Sequence, residues 1–165
     1  VTGTARRGLV VAAVVSVLLA AWFGWSWWSA AHDDGLAVAR DRDGLLSAAG
    51  NALVVLNTID YRTGPQDVDR WLQVTTGQLG KDLGGDRQSQ LDRANTTKTV
   101  ATATLDQAAV TQLNSAAGTA ELIALLTVRV STGGGAPASK LSRLTVETNR
   151  TVDGWKVSAV QAGTA

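Results

Sequence analysis

The chain has 165 residues, 45% of them hydrophobic, with 15 basic against 14 acidic side chains, one histidine, six tryptophans, no cysteine and no methionine. Such a length holds one domain, or one domain with an appendage. A near-neutral charge without a basic run beyond Arg6 and Arg7 gives no footprint for nucleic acid. With no cysteine and one histidine, the sequence offers no disulfide, no thiol nucleophile and none of the usual zinc or iron ligand sets. No cofactor site and no metal site is expected. Without an initial methionine, either the chain is a fragment or Val1 is the literal reading of a GTG start codon, the better reading of the two.

The first predicted element is apolar. From Gly8 to Ala31 there is no charged residue, and Leu9 to Trp28 is interrupted only by Ser16, Gly24 and Ser26. Twenty residues in a helix extend about 30 Å, the thickness of a bilayer's hydrocarbon core. Arg6 and Arg7 precede the run and Asp33 and Asp34 follow it, so the positive-inside bias places the N-terminus in the cytoplasm and the rest outside. Trp22, Trp25, Trp27 and Trp28 gather at the outer end as an interfacial belt. Ser29, Ala30 and Ala31 form a passable signal-peptidase site, but the stretch exceeds a signal peptide's apolar region, and an uncleaved anchor is the better reading. The organisation is therefore a cytoplasmic tail (1–7), a transmembrane helix (8–31) and an exported domain (32–165) in the plasma membrane.

Beyond the anchor, Leu36, Leu45, Leu46, Ala49, Leu53 and Leu56 recur at helical spacing from Asp33 to about Ile59. They predict one long amphipathic helix. Gly44 and Gly50 each weaken it by up to about 1 kcal/mol, so packing must hold it. Thr63, Gly64 and Pro65 break the chain, and a short helix follows with Val68, Trp71 and Leu72, its N-terminus favoured by Asp67 and Asp69. Thr75 or Thr76 caps a third helix carrying Leu79, Leu83 and Leu91, interrupted by Gly84 and Gly85. After Asn95 the period becomes two. Strands are predicted from Lys98 to about Val110, from Ala120 to Val130 and from Leu141 to Val152, with Leu122, Ala124, Leu126 and Val128 on a core face. Gly133 to Pro137 link the second strand to the third. Asp153 and Gly154 signal a type I′ hairpin into a fourth strand with Trp155, Val157 and Val160. Its register stays open, because pairing Val152 with Trp155 also pairs Arg150 with Val157. The predicted class is α+β: a long helix and two short ones packed on a curved, four-stranded antiparallel sheet.

The anchor, the long helix ending in Asp60 and Tyr61, the run Thr75, Thr76, Gly77, Gln78 and Leu79 after Trp71, and the hairpin Asp153, Gly154, Trp155, Lys156 and Val157 together resemble the actinobacterial Mce-associated membrane proteins. The resemblance covers nearly the whole chain. It implies an NTF2-like, cystatin-like cone and a non-enzymatic accessory role in Mce systems that import lipids or sterols, with Mce substrate-binding or permease proteins as partners. Two alternatives stand beside it: a bitopic NTF2-like assembly factor of a type IV secretion or conjugation machine, and a domain that binds a small apolar ligand, such as a lipid, in the cone.

Catalysis is not expected. Asp60 and Tyr61 are the only adjacent acid and phenol, and Tyr61 is read as packing its ring under the sheet while Asp60 is solvated. His32 at the membrane exit is solvated, and the glycine loop at 133–135 lacks the lysine of a phosphate cradle. Trp71 and Trp155 are core residues with a partner surface as the lesser alternative.

Overall fold

The computed structural model describes residues 19–23, 25 and 34–163. The chain divides into two units, Val1–Ala39 and Arg40–Ala165. In the first, Leu19 to Phe23 and Trp25 are helical, with Trp22 75% and Trp25 71% exposed. The remainder of the predicted span, with Arg6, Arg7, Trp27, Trp28 and His32, lies outside the described residues. Among the described residues no helix is long and apolar enough to cross a membrane.

Helix α1 spans Asp34–Leu56. Its apolar stripe buries Leu45, Ala49, Ala52 and Leu53 against the sheet. Leu36, predicted on that stripe, is 44% exposed, so the buried face begins later than the periodicity indicates. Gly50 is the point of closest approach: a Cβ there would lie 2.7 Å from Leu105 Cδ2. The glycine that weakens the helix thus lets it sit against the sheet.

A two-residue strand, β1 (Ile59–Asp60), leads into α2 (Gly64–Val74), α3 (Gly77–Gly85) and α4 (Arg87–Thr97). The predicted third helix is therefore two. The chain breaks at Asp86 (φ −88°, ψ 4°), directly after the paired glycines Gly84 and Gly85, which have the lowest helix propensity of any residue but proline. Lys98, left-handed at φ 49°, ends α4, its N–H turning back to the carbonyls of Ala94 and Asn95.

Four long strands follow: β2 (Val100–Asn114), β3 (Thr119–Ser131), β4 (Ala138–Thr151) and β5 (Gly154–Ala162). With β1 they form an antiparallel meander in the order β1-β2-β3-β4-β5, one strand more than predicted. β2 runs past its predicted end because it contains two bulges, between Leu105 and Gln107 and between Val110 and Gln112. Each bulge resets the alternation by one residue. Ala103 and Leu105, then Ala108 and Val110, then Leu113 all reach the core, a pattern a strict period of two cannot produce. The same face of the sheet continues with Leu122, Ala124 and Leu126 of β3, Val146 of β4 and Val157 of β5. Burying each of these leucines contributes about 1.5–3 kcal/mol.

The β4–β5 hairpin corrects the predicted turn. Thr151 pairs with Gly154, Arg150 with Trp155 and Thr148 with Val157, so the two turn residues are Val152 and Asp153. Gly154 takes the positive dihedral, φ 109°, while among the described non-glycine residues only Lys98 does so. A type I′ turn needs positive φ at both central residues, so this is instead a turn closed by a glycine bulge. The shift resolves the register conflict. Val157 faces the core opposite buried Thr148, and a further irregularity between Glu147 and Thr148 keeps Val146 and Val160 in register.

Candidate functional site

Two segments of the sequence pattern, far apart in the chain, meet in space. Thr75 forms a parallel bridge with Val157, and the Thr76 N–H donates to the Val157 carbonyl at 2.8 Å. Gly77, at φ 62°, lies against Ser158, where a Cβ would sit 3.6 Å from the serine Cβ. Thr75 does not cap α3. Its hydroxyl donates back to the Trp71 carbonyl at 2.9 Å, and Thr76 stands at the N-cap in extended conformation without a side-chain cap bond. This seam joins the α2–α3 turn to the last strand.

Beside the seam is a cavity of ≈ 420 Å³ lined by Ala48 and Ala52 of α1, Gln73 and Val74 of α2, and Asp153, Trp155 and Lys156 of the hairpin. Trp155 is half-buried and packs against the core, as predicted, but one ring face is covered by the Arg150 guanidinium at 4.8 Å from the centroid. Arg150 also pairs with Asp41 of α1, and Lys156 with Asp153 at 2.9 Å. Cation–ring contact and ion pair together hold the hairpin to the helix. In the sequence Asp41 stands in a run of four charged residues, Arg40 to Asp43. Its partner lies 109 positions later, and no local signal links them.

A second cluster locks the turn between α1 and α2. Asp67, 2% exposed, accepts hydrogen bonds from the Asp60 N–H at 2.8 Å and the Thr63 hydroxyl at 3.2 Å, and pairs with Arg70. A buried carboxylate is retained only when so satisfied. The sequence assigned Asp67 to the helix dipole alone; its spacing of four from Thr63 was the signal for the tighter role. Trp71, 7% exposed, is buried as predicted, and its indole N–H donates to the carbonyls of Val55 at 2.8 Å and Thr58 at 3.1 Å. With Asn57 Nδ2 on the Leu53 carbonyl and the Thr58 hydroxyl on the Val54 carbonyl, the end of α1 is capped by side chains. A cavity of ≈ 170 Å³ lies here, lined by Val54, Val55, Thr58, Asp67 and Arg70.

Tyr61 and Asp60 both engage Arg62. The Arg62 N–H bonds Asp60 Oδ1 at 2.9 Å, Arg62 Nε donates to the Tyr61 hydroxyl at 3.3 Å, and the guanidinium lies 5.2 Å from the ring centroid. Tyr61 is half-buried at the surface and is not part of the core cluster, which corrects the predicted packing under the sheet. The tyrosine hydroxyl, then the Asp60 charge, raise the Arg62 pKa above its ordinary value. Elsewhere, Arg87 of α4 pairs with Asp69 of α2 and holds that carboxyl below the ordinary aspartate range. Among the described residues no cluster of three or more histidine, cysteine, aspartate or glutamate side chains is placed to hold a metal.

This arrangement, helices on one face of a five-stranded antiparallel meander, is an α+β architecture of the NTF2-like kind. No protein-family profile and no curated protein matches the sequence. Solved structures do. An IcmL-like type IV secretion system protein from Legionella pneumophila superposes with TM-score 0.60 at 13% identity, over 74% of this chain and 91% of that one. The periplasmic domain of DotI gives 0.59 at 17% identity, over 73% and 93%. CagV, a VirB8 homolog of the type IV secretion system from Helicobacter pylori, gives 0.58 at 12% identity, over 74% and 98%. The fold also hosts a candidate aromatic ring hydroxylase from Novosphingobium aromaticivorans, at TM-score 0.51 and 19% identity. These likenesses establish the α+β, NTF2-like fold, and none of them points to an Mce-associated protein.

Proposed function

We propose that the chain is a bitopic, non-catalytic assembly subunit of an envelope-spanning machine of the type IV secretion or conjugation kind. Its apolar N-terminal run anchors it in the plasma membrane with the N-terminus cytoplasmic, and the domain from residue 32 onward is exported to dock other subunits. The observation that carries the reading is the fold: an IcmL-like protein and CagV, both of type IV secretion systems, share it over about three quarters of this chain. The bilayer and neighbouring subunits are the partners, and small residues such as Ala12, Ala13 and Ser16 in the run suit close helix packing.

The Mce-accessory reading rests on the sequence resemblance alone. One experiment separates the two. The tagged chain is purified from native membranes in mild detergent and its partners are identified by mass spectrometry. Secretion or conjugation subunits support the proposal; Mce permease and substrate-binding proteins replace it with the second reading. A lipid retained by the gently purified protein in native mass spectrometry would support the ligand-binding alternative.

A further inference from the structure

The cavity of ≈ 420 Å³ beside the seam carries chemistry that an assembly role leaves unused, and its volume lies in the range of small-molecule sites, about 300–1,000 Å³. One wall is apolar. Ala48 and Ala52 stand one turn apart on α1, and Val74 of α2 packs against the core beside them. Trp155 completes this wall. Arg150 covers one face of the ring at 4.8 Å and is not among the residues that line the cavity, so the indole meets the cavity with surface that the guanidinium leaves free. The same cation, paired to Asp41, holds the ring in place before any ligand arrives. The rim is polar, and its charges balance. Lys156 Nζ donates to Asp153 Oδ2 at 2.9 Å, with the lysine side chain 20% and the aspartate 68% exposed. Among the described residues no hydrogen bond engages Asp153 Oδ1 or the side-chain amide of exposed Gln73.

Together these surfaces discriminate among ligand classes. A rim of balanced charge gives a simple ion no net attraction. A wholly apolar ligand would strip water from Asp153, Lys156 and Gln73 and put nothing in its place. A carboxylate oxygen, an ammonium and a primary amide at one mouth instead suit neighbouring hydroxyls, each of which donates to the carboxylate and accepts from the lysine or the amide. A pyranose carries both required surfaces, C–H bonds across a ring face and hydroxyls around its edge. The weakly positive C–H face matches the negative π-face of an indole. We infer that this cavity binds a neutral hexopyranose unit of a glycan, its ring stacked on Trp155 against the alanine wall and its vicinal hydroxyls shared among Asp153, Lys156 and Gln73. Such a site needs only the folded domain, whichever machine the protein serves.

Full-length chain in lipid nanodiscs avoids competition from sugar-headed detergents. Chitotetraose and maltotetraose serve as the probes, with saturation-transfer NMR reporting contact and calorimetry reporting affinity. Transfer to the ring C–H protons of at least one of the two sugars is expected, with none to sorbitol, an open-chain polyol that has the hydroxyls but no ring face. Ala48→Leu fills the cavity from a partly exposed position and should weaken binding by at least about tenfold, because the added side chain occupies the ligand's space. Gln73→Ala removes a side chain that has no bond within the fold and should weaken binding about fivefold, the worth of one hydrogen bond. Gln107→Ala, on β2 and outside the cavity, should leave the affinity unchanged. Circular dichroism verifies that all three variants fold. Transfer to chitotetraose alone would mean that the bound ring carries an acetamido group, and transfer to maltotetraose that the plain ring suffices; both outcomes support the site. No transfer to either sugar, equal transfer to sorbitol, or an affinity that Ala48→Leu and Gln73→Ala leave unmoved would overturn it.

Discussion

Replacing Trp71 with phenylalanine isolates the cap at the end of α1. The indole N–H serves two carbonyls, Val55 and Thr58. Val55 retains a second donor, the Thr58 N–H at 3.1 Å, so the substitution strips one carbonyl of its partner and thins the coordination of the other. A carbonyl left without a partner in a half-buried site costs about 1–2 kcal/mol, the lower part of the range for buried groups. The smaller ring adds about 1 kcal/mol by leaving space in a well-packed site. Trp71→Phe should therefore destabilise by about 2–3 kcal/mol, against about 5–15 kcal/mol for the unfolding of a domain. Trp71→Ala should cost about 3–5 kcal/mol. Urea titration followed by far-UV circular dichroism measures both without relying on the altered fluorophore. A loss below about 0.5 kcal/mol for Trp71→Phe would mean that water already serves those carbonyls, and the capping argument would fail.

Other outcomes follow from the same geometry. Gly44→Ala, in the interior of α1 where an added Cβ meets nothing within 4 Å, should raise stability by up to about 1 kcal/mol in the same titration. Arg150→Ala removes the ion pair to Asp41 and the cover over Trp155, and should cost about 1 kcal/mol while exposing the indole to acrylamide quenching. Arg87→Ala should raise the Asp69 pKa towards the ordinary aspartate value, read by NMR titration of the carboxyl carbon. Because the folded value is depressed, the stabilisation from this pair is present above the unfolded aspartate pKa and disappears as pH falls through the lower, folded one. Leu122→Ala, fully buried at the centre of β3, should cost about 2–5 kcal/mol.

The elements that rest on long, regular periodicity were legible in the sequence. The stripe from Leu45 to Leu56 and the alternation from Leu122 to Val128 each match a single structural period, and each became the element it predicts. The failures lie where the period is interrupted. The bulges of β2 shift side chains by one residue, so Ala109 and Val110 exchange the faces that simple alternation assigns, and the strand looks as though it ends early. The hairpin register depended on which glycine neighbour occupies the turn, and the conflict between Arg150 and Val157 was itself the sign that Asp153 and Gly154 were not both turn residues. Within the candidate site, the apolar roles of Trp71 and Trp155 were readable from composition. Their polar partners were not, because the Trp71 indole reaches back 16 positions and the Arg150 that covers Trp155 pairs with a residue 109 positions earlier.

The seam between Thr76 and Val157 also fixes when the domain can be finished. Ribosomes make the chain from its N-terminus. α1, α2 and α3 therefore emerge long before the strand that receives them. Until Val157 has arrived, the underside of α1 has no final strand, and the Thr76 N–H has no β-strand acceptor. A chain cut after the β4 strand would hold most of the meander and still lack this closing stitch. β5 is therefore the strand that completes the domain: it supplies the acceptor for the Thr76 N–H and places Val157 in the core on which α1 packs.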